Sequence, residues 1–380
     1  MKPSQLCFIA CAAAATPLPA ALAADTIRTE AETVRIVTVT PGLAHPWGLA
    51  FLPDGRMLVT ERGGRLRSVA RDGRLAPQPV AGLPRIEEYG QGGLLDVALH
   101  PRFGENGLVY LSYAERGDGG YGTAVLRGRL AGAAESARLD AVEVIYRQQP
   151  KSGGGRHFGS RLVFDRAGLL YVTQGDRGEM ERAQPLGDLA GKVVRLHDDG
   201  RVPSDNPYVG RLGARPEIFT LGNRNVQGAA LHPQTGELWS HEHGPQGGDE
   251  LNVLRKGTNY GWPVITYGVN YGLGTRIGEG TAKPGMAQPL YYWVPSIAPS
   301  GMAFYTGDKF PAWRGSLFVG ALRDQMLVRL ALAGEKVVKE ERMLRGVLGR
   351  IRDVREGPDG FLYLLTDSSS GAIVRLEPAR

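Results

Sequence analysis

Along this chain apolar and polar residues alternate in short runs and never recur with a sustained 3.6-residue period, so the pattern predicts strands and turns rather than long helices. The runs share a motif, a turn ending in glycine followed by an apolar or aromatic strand. It occurs at Leu52-Pro53-Asp54-Gly55 before Met57-Leu58-Val59, at Asn106-Gly107 before Val109-Tyr110-Leu111, and at Ala167-Gly168 before Leu170-Tyr171-Val172. It returns at Thr235-Gly236 before Leu238-Trp239, at Arg314-Gly315 before Leu317-Phe318-Val319, and at Pro358-Asp359-Gly360 before Leu362-Tyr363-Leu364. From glycine to glycine the spacings are 52, 61, 68, 79 and 45 residues, each room enough for four short strands and their loops.

Six such units predict an all-β fold, a six-bladed β-propeller with four-stranded antiparallel blades around a central channel. A large β-sandwich or a β-helix is the competing architecture. Segments such as 86–100 and 161–173 read as strands, and the strand-like stretch 34–40 ahead of the first repeat is expected to complete the last blade and close the ring. No linker or shift in composition divides the chain, so residues 24–380 are expected to form one catalytic domain.

The first 23 residues read differently. Lys2, the apolar stretch from Leu6 to Ala15 and the small-residue site Ala21-Leu22-Ala23 form an export signal too short to span a bilayer. Processing as a lipoprotein at Cys11 is the alternative. Cys7 and Cys11 are the only cysteines, so the cleaved protein is expected to lack disulfides, thiolate metal sites and a cysteine nucleophile. These features predict an exported, periplasmic, soluble monomer without a membrane span. The net charge is +6, and 37 of the 45 basic residues are Arg, yet no basic run suggests a nucleic-acid partner.

Loops on one face of a propeller converge on its channel, so polar clusters recurring once per unit are the candidate site. His157, between glycines and just before a strand, has the chemistry of a general base near neutral pH, although a structural histidine fits the same pattern. Asp176 either orients it or caps a turn. Arg350 and Arg352 alternate and so share a face, while Arg224 and Arg323 come from other units. Aimed at one channel, four guanidinium groups would suit a ligand with several carboxylates, and scattered surface arginines are the plainer alternative. The turn Gly244-Pro245 followed by Asp249-Glu250 offers hard oxygens that suit calcium. His232, His241, Glu242 and His243 raise zinc, but alternation along a strand lacks the helical spacing of zinc proteases. Nucleophile elbows, phosphate loops and dinucleotide fingerprints are absent where they would count.

Taken in order, His45-Pro46-Trp47-Gly48, Gly90-Gln91-Gly92-Gly93, His157-Phe158-Gly159-Ser160-Arg161, Gly222-Asn223-Arg224-Asn225, Gly244-Pro245, Asn259-Tyr260-Gly261-Trp262-Pro263 and Arg350-Ile351-Arg352-Asp353 resemble the soluble quinoprotein aldose sugar dehydrogenases. These relatives of soluble glucose dehydrogenase use pyrroloquinoline quinone (PQQ). The resemblance covers nearly the whole mature chain and implies a six-bladed propeller. It implies that His157 removes the sugar C1 hydroxyl proton while hydride passes to the quinone, with Arg224 and Asp176 completing the catalytic set. It assigns cofactor contacts to Gln91, Arg224, Asn225, Ser296, Arg323, Arg350 and Arg352. It implies a calcium shared with the quinone at Gly244 and Pro245, and a second, structural calcium at Glu250 and Tyr260, with Tyr271 nearby.

Ser296 stands where threonine is usual, Arg323 where lysine is, Arg156 where the glucose enzymes have aspartate and Glu181 where they have glutamine. These departures bear on glucose preference more than on cofactor binding, and the chain's shorter loops suit an open site accepting a range of aldoses, including oligosaccharide ends. A dye or a periplasmic carrier is the expected electron acceptor. The competing functions are a calcium-dependent lactonase or similar hydrolase, which would show carboxylates around one metal, and a non-catalytic binding propeller.

Overall fold

The computed structural model describes residues 26–379, so the expected export signal, with Cys7 and Cys11, lies outside the described residues. The strands assemble into six antiparallel sheets, and the innermost strand of each sheet packs against the innermost strand of the next, the last returning to the first. This is the expected six-bladed propeller. All six repeat glycines adopt left-handed φ values between 65° and 87°, reversing the chain into the second strand of each blade. Among the described residues helix is confined to one turn at Phe103–Asn106 and three 3-10 segments.

Four blades have the expected four strands, the first has three and the last has five. In the first blade, after strands Pro46–Phe51, Met57–Glu61 and Arg65–Val69, the chain does run back alongside, with Ala76 N donating to Ser68 O and Val80 N to Leu66 O. Pro77 and Pro79 lack the N–H groups that would complete the ladder. The last blade takes Thr33–Leu43 as its outer strand, paired antiparallel to Gly371–Pro378, with Thr26–Arg28 added outside it. The ring therefore closes through the segment around 34–40, as its pattern predicts. The stretch 86–100 is strand only over Leu94–Leu99, because 86–93 forms a glycine-rich loop against Arg62 and Gly155.

Six apolar layers, one between each pair of neighbouring blades, form the core. One of them, built from Leu43, Leu49, Met57, Tyr363 and Ile373, seals the last blade to the first. Near the centre the packing is backbone on side chain. A Cβ on Gly301 would lie 2.0 Å from Asp353 Oδ1 and 2.6 Å from its Cα. Gly301→Ala is therefore expected to destabilise the fold by about 3 kcal/mol, the upper part of the overpacking range, read as a lowered urea midpoint.

The innermost strands share a second feature. In five of the six, pairing with the next strand slips, at 46/49, 94/97, 226/228, 299/302 and 351/353. A bulge re-aims the side chain it carries. Trp47, Leu95, Gln227 and Arg352 lie at four of these slips, and all four line one central cavity.

Candidate active site

That cavity holds about 240 Å³ and is walled by arginines, amides and aromatic rings, among them Arg62, Arg350, Arg352, Gln91, Trp47 and Phe158. No carboxylate lines it. At the inner end of the strands the channel is filled by four charges, Arg161 with Asp96 at 2.9 Å and Asp353 at 3.2 Å, and Arg355 with Asp353 at 2.8 Å and Asp96 at 3.0 Å. Two positive and two negative groups make this plug neutral, so the field in the cavity comes from the arginines above it.

His157 is not itself among the lining residues; it is buried next in the chain to Phe158 and Gly159, which are. Its backbone N donates to Gln91 Oε1 at 2.9 Å, and its Nδ1 lies 2.6 Å from Asp176 Oδ1. Asp176 also accepts from Gly178 N at 2.7 Å and from the indole Nε1 of Trp262 at 2.8 Å. Burial alone would raise the Asp176 carboxyl, but these bonds and the Arg224 charge outweigh it and hold it below its ordinary value. An ionised carboxylate only accepts, so Nδ1 carries the hydrogen and Nε2 keeps its lone pair. Burial, with help from Arg224 and Arg156, lowers the imidazole pKa against the pull of Asp176, so the ring is neutral near pH 7. Asp176 thus both holds the imidazole and caps the turn at Gly178, and a neutral, oriented imidazole is the state a general base requires.

The expected arginine pair is brought together, and by a residue that the sequence reading overlooks. Asp367 accepts from Arg350 at 3.1 Å and from Arg352 at 3.0 Å through one oxygen, and lies 3.0 Å from His45 Nδ1 through the other. Burial would raise Asp367, but Arg352, His45 and Arg350 hold it well below the usual carboxylate range. Arg352 also donates to Gln227 Oε1 at 3.2 Å. The cluster keeps a net positive charge facing the cavity. Asn225 is in the wall as well, its Oδ1 accepting from Gly159 N at 3.1 Å.

Arg323 and Ser296 are not among the lining residues. Arg323 folds back at the rim, donating to Ser296 O at 2.6 Å with most of its side chain in solvent. The Ser296 hydroxyl donates to Asp249 Oδ1 at 2.9 Å and accepts from Ala298 N at 3.1 Å, so it is tied to Asp249 and to its own turn. The four expected guanidinium groups thus divide into a lining pair, Arg350 and Arg352, one behind the wall, Arg224, and one at the rim.

Arg224 donates to Gly244 O at 2.7 Å and His243 O at 3.1 Å, and its buried Nε has no partner. Its loop is folded by Glu242, which accepts from Asn223 Nδ2 at 3.1 Å and from the backbone N of both Arg224 and Asn225. The turn at Gly244 is equally constrained, since a Cβ there would lie 2.2 Å from Gly247 O, and Asp249 accepts from Gly244 N at 2.9 Å. Glu250 lies with Glu242, Tyr260 and Thr266 around a small gap on the far side of Arg224. Burial and the neighbouring Glu242 push its carboxyl well above the ordinary value. The Tyr260 hydroxyl donates to Val253 O at 2.5 Å and accepts from Arg255 N at 2.9 Å, leaving its carbonyl as the oxygen it can offer a cation. Tyr271 is mostly exposed. The three histidines part company: His243 Nε2 lies 2.6 Å from Pro299 O, His241 is fully buried, and His232 stacks on Trp239.

Comparison with known proteins agrees with this arrangement. A family described as Glucose / Sorbosone dehydrogenase matches residues 43–375. Aldose sugar dehydrogenase YliI of Escherichia coli (strain K12) is 47% identical over 350 residues, covering 91% of this chain and 93% of that protein. A crystal structure of a glucose dehydrogenase is 52% identical with a TM-score of 0.88, covering 90% of this chain and 99% of that one. The PQQ-bound form of an aldose sugar dehydrogenase from Streptomyces coelicolor is 29% identical with a TM-score of 0.74, covering 92% and 99%. With the ring, the arginine-walled cavity and a match across nearly its whole length, this chain belongs to the glucose/sorbosone dehydrogenase family.

Proposed function

We propose that this protein is a PQQ-dependent aldose sugar dehydrogenase that oxidises the C1 hydroxyl of a range of aldoses, oligosaccharide ends included, to lactones. The observation that carries it is the union, at one cavity, of an oriented neutral imidazole and paired arginines whose charge exceeds that of their single carboxylate partner. The residues fit the cofactor: the cavity is cationic and flanked by aromatic rings, and the Nε groups of Arg62 and Arg224 are buried without partners. Arg350 and Arg352 would hold its carboxylates, and Gln91, Asn225 and Arg224 its remaining polar atoms, with Ser296 and Arg323 at the rim. Gly244 and Pro245 offer carbonyls to a shared calcium, and Glu250 with Tyr260 would take a second one. That placement is supported by the buried Glu242–Glu250 carboxyl pair, in which Arg224 faces only Glu242.

When bound, PQQ supplies the acceptor for the hydride that leaves sugar C1, and calcium polarises that acceptor. His157 Nε2 takes the proton from the C1 hydroxyl as the C1–H bond breaks. Asp176 keeps Nδ1 protonated and steadies the imidazolium that results. Arg224 places positive charge where negative charge develops. A lactonase reading gains nothing from a cavity lined by arginines and amides. The electron acceptor is a dye in the assay and a periplasmic carrier for the exported protein, which acts as a monomer. No described helix is long and apolar enough to cross a membrane.

The test is titration of purified apoprotein with PQQ, with and without calcium, followed by glucose. Calcium-dependent stabilisation, about 2.7 kcal/mol at a hundredfold excess over Kd, together with sugar-driven dye reduction is the expected outcome. Absence of both rejects the cofactor.

A further inference from the structure

Asp176 and Arg177 are adjacent, and the chemistry above uses only the first. We propose that Arg177 is a positioning residue that clamps the backbone on both sides of His157 and so aims its imidazole; the inference rests on the reading of His157 as the base.

Arg177 is 1% exposed, yet it forms no ion pair among the described residues. A buried arginine ordinarily answers a carboxylate. This one spends its fork on two peptide carbonyls, Nη1 donating to Arg156 O and Nη2 to Gly154 O. The planar group also lies 3.3 Å from the centroid of the Phe158 ring. Its contacts are therefore to residues 154, 156 and 158, which bracket the base.

The segment needs such a clamp. His157 has φ 55°, Gly159 φ 61° and Ser160 φ 88°, so it runs through left-handed conformations outside any strand. For a residue with a Cβ that conformation costs about 1–2 kcal/mol and persists only where the surroundings impose it. Segments 154–160 and 174–178 lie backbone to backbone: a Cβ on Gly175 would come within 2.0 Å of His157 O, and one on Gly154 within 2.2 Å of Arg177 O. Asp176 grips the imidazole and Arg177 grips the chain that bears it, from one dipeptide. A lysine keeps the charge but cannot reach two carbonyls with a planar fork.

The test compares the PQQ-loaded wild type with Arg177→Lys and Arg177→Met in glucose oxidation, and follows the His157 imidazole by NMR of histidine-labelled protein across pH. Since about 1 Å of misplacement costs on the order of 100-fold, kcat is expected to fall at least about tenfold in Arg177→Met and less in Arg177→Lys. KM for glucose and Kd for PQQ should stay within about threefold. In a loosened segment the imidazole becomes solvated, and its titration moves up toward the ordinary value of about 6.5. The groups facing it are Asp176, Arg224, Arg156 and His243, none of which is altered. Because lysine retains the charge, a shift in Arg177→Lys reports loosening rather than lost repulsion.

Unchanged kcat in either folded variant overturns the proposal, as does an equal loss of PQQ affinity or the failure of both variants to fold. If the wild type oxidises no sugar, the dehydrogenase reading fails, and the imidazole titration still decides whether Arg177 holds His157.

Discussion

Replacing His157 with alanine is expected to lower kcat for glucose by about 100-fold or more while leaving the Kd for PQQ within about threefold. The imidazole holds a proton-accepting lone pair at Nε2, whereas His243, the histidine that lines the cavity, is pushed down to about 3 chiefly by burial and has its Nε2 committed to Pro299 O. Gln91, which the backbone of His157 engages, stays in place in the variant, as do the arginines on the opposite wall. The pH profile gives a sharper check. Burial depresses the imidazole pKa, so the base is unprotonated at pH 7, and in the wild type activity is lost as pH falls through a value below about 6.5. That acid limb should vanish from the residual activity of His157→Ala. Equal losses of turnover and cofactor affinity, or an acid limb that survives, would contradict the role.

The second large effect is on cofactor affinity. Changing Arg350 and Arg352 together to alanine should weaken PQQ binding by at least about 100-fold, since hydrogen bonds to charged groups contribute roughly 1.5–3 kcal/mol each and 1.4 kcal/mol is tenfold. The structure adds a reason beyond the lost bonds. Asp367 would keep only His45, leaving a buried carboxylate without either of its arginine partners. Of the single changes, Arg352→Ala should be the more damaging, because Arg352 is buried and also tied to Gln227, whereas Arg350 is half in solvent. Isothermal titration with PQQ measures all three proteins, and unchanged affinity in the double variant would exclude the placement.

The ring was legible because its signal is local. Each turn glycine stands beside the strand it launches, and the six left-handed turns are where the spacing puts them. His157, Arg350 and Arg352 were legible for the same reason, being unusual residues within short polar motifs. Their partners were not. Trp262 reaches Asp176 across 86 positions and His45 reaches Asp367 across 322, and only ring closure makes these pairs neighbours. Asp367 follows the end of a strand with no motif around it, and Glu242 resembles a metal ligand when it is in fact the acceptor that folds the Arg224 loop. The inner-strand slips are also silent in an alternation pattern, since one extra residue shifts the faces without changing which residues are apolar. The missing fourth strand of the first blade could have been read from Pro77 and Pro79.

The pairing that closes the ring also governs how the chain reaches it. Val34 meets Pro378, a contact between residues 344 positions apart, and every rung of that ladder joins the beginning of the described chain to its end. Loop closure over such a span costs about 5 kcal/mol of chain entropy before any pairing repays it. During synthesis Thr33–Leu43 is made before the blades and can dock only when Gly371–Pro378 emerges; until then the open ring leaves the edge of Thr33–Leu43 unpaired and exposes the apolar face of Leu43 and Leu49. Folding of this propeller is thus a race between one long-range docking event and self-association of a sticky edge, decided once Gly371–Pro378 has been made.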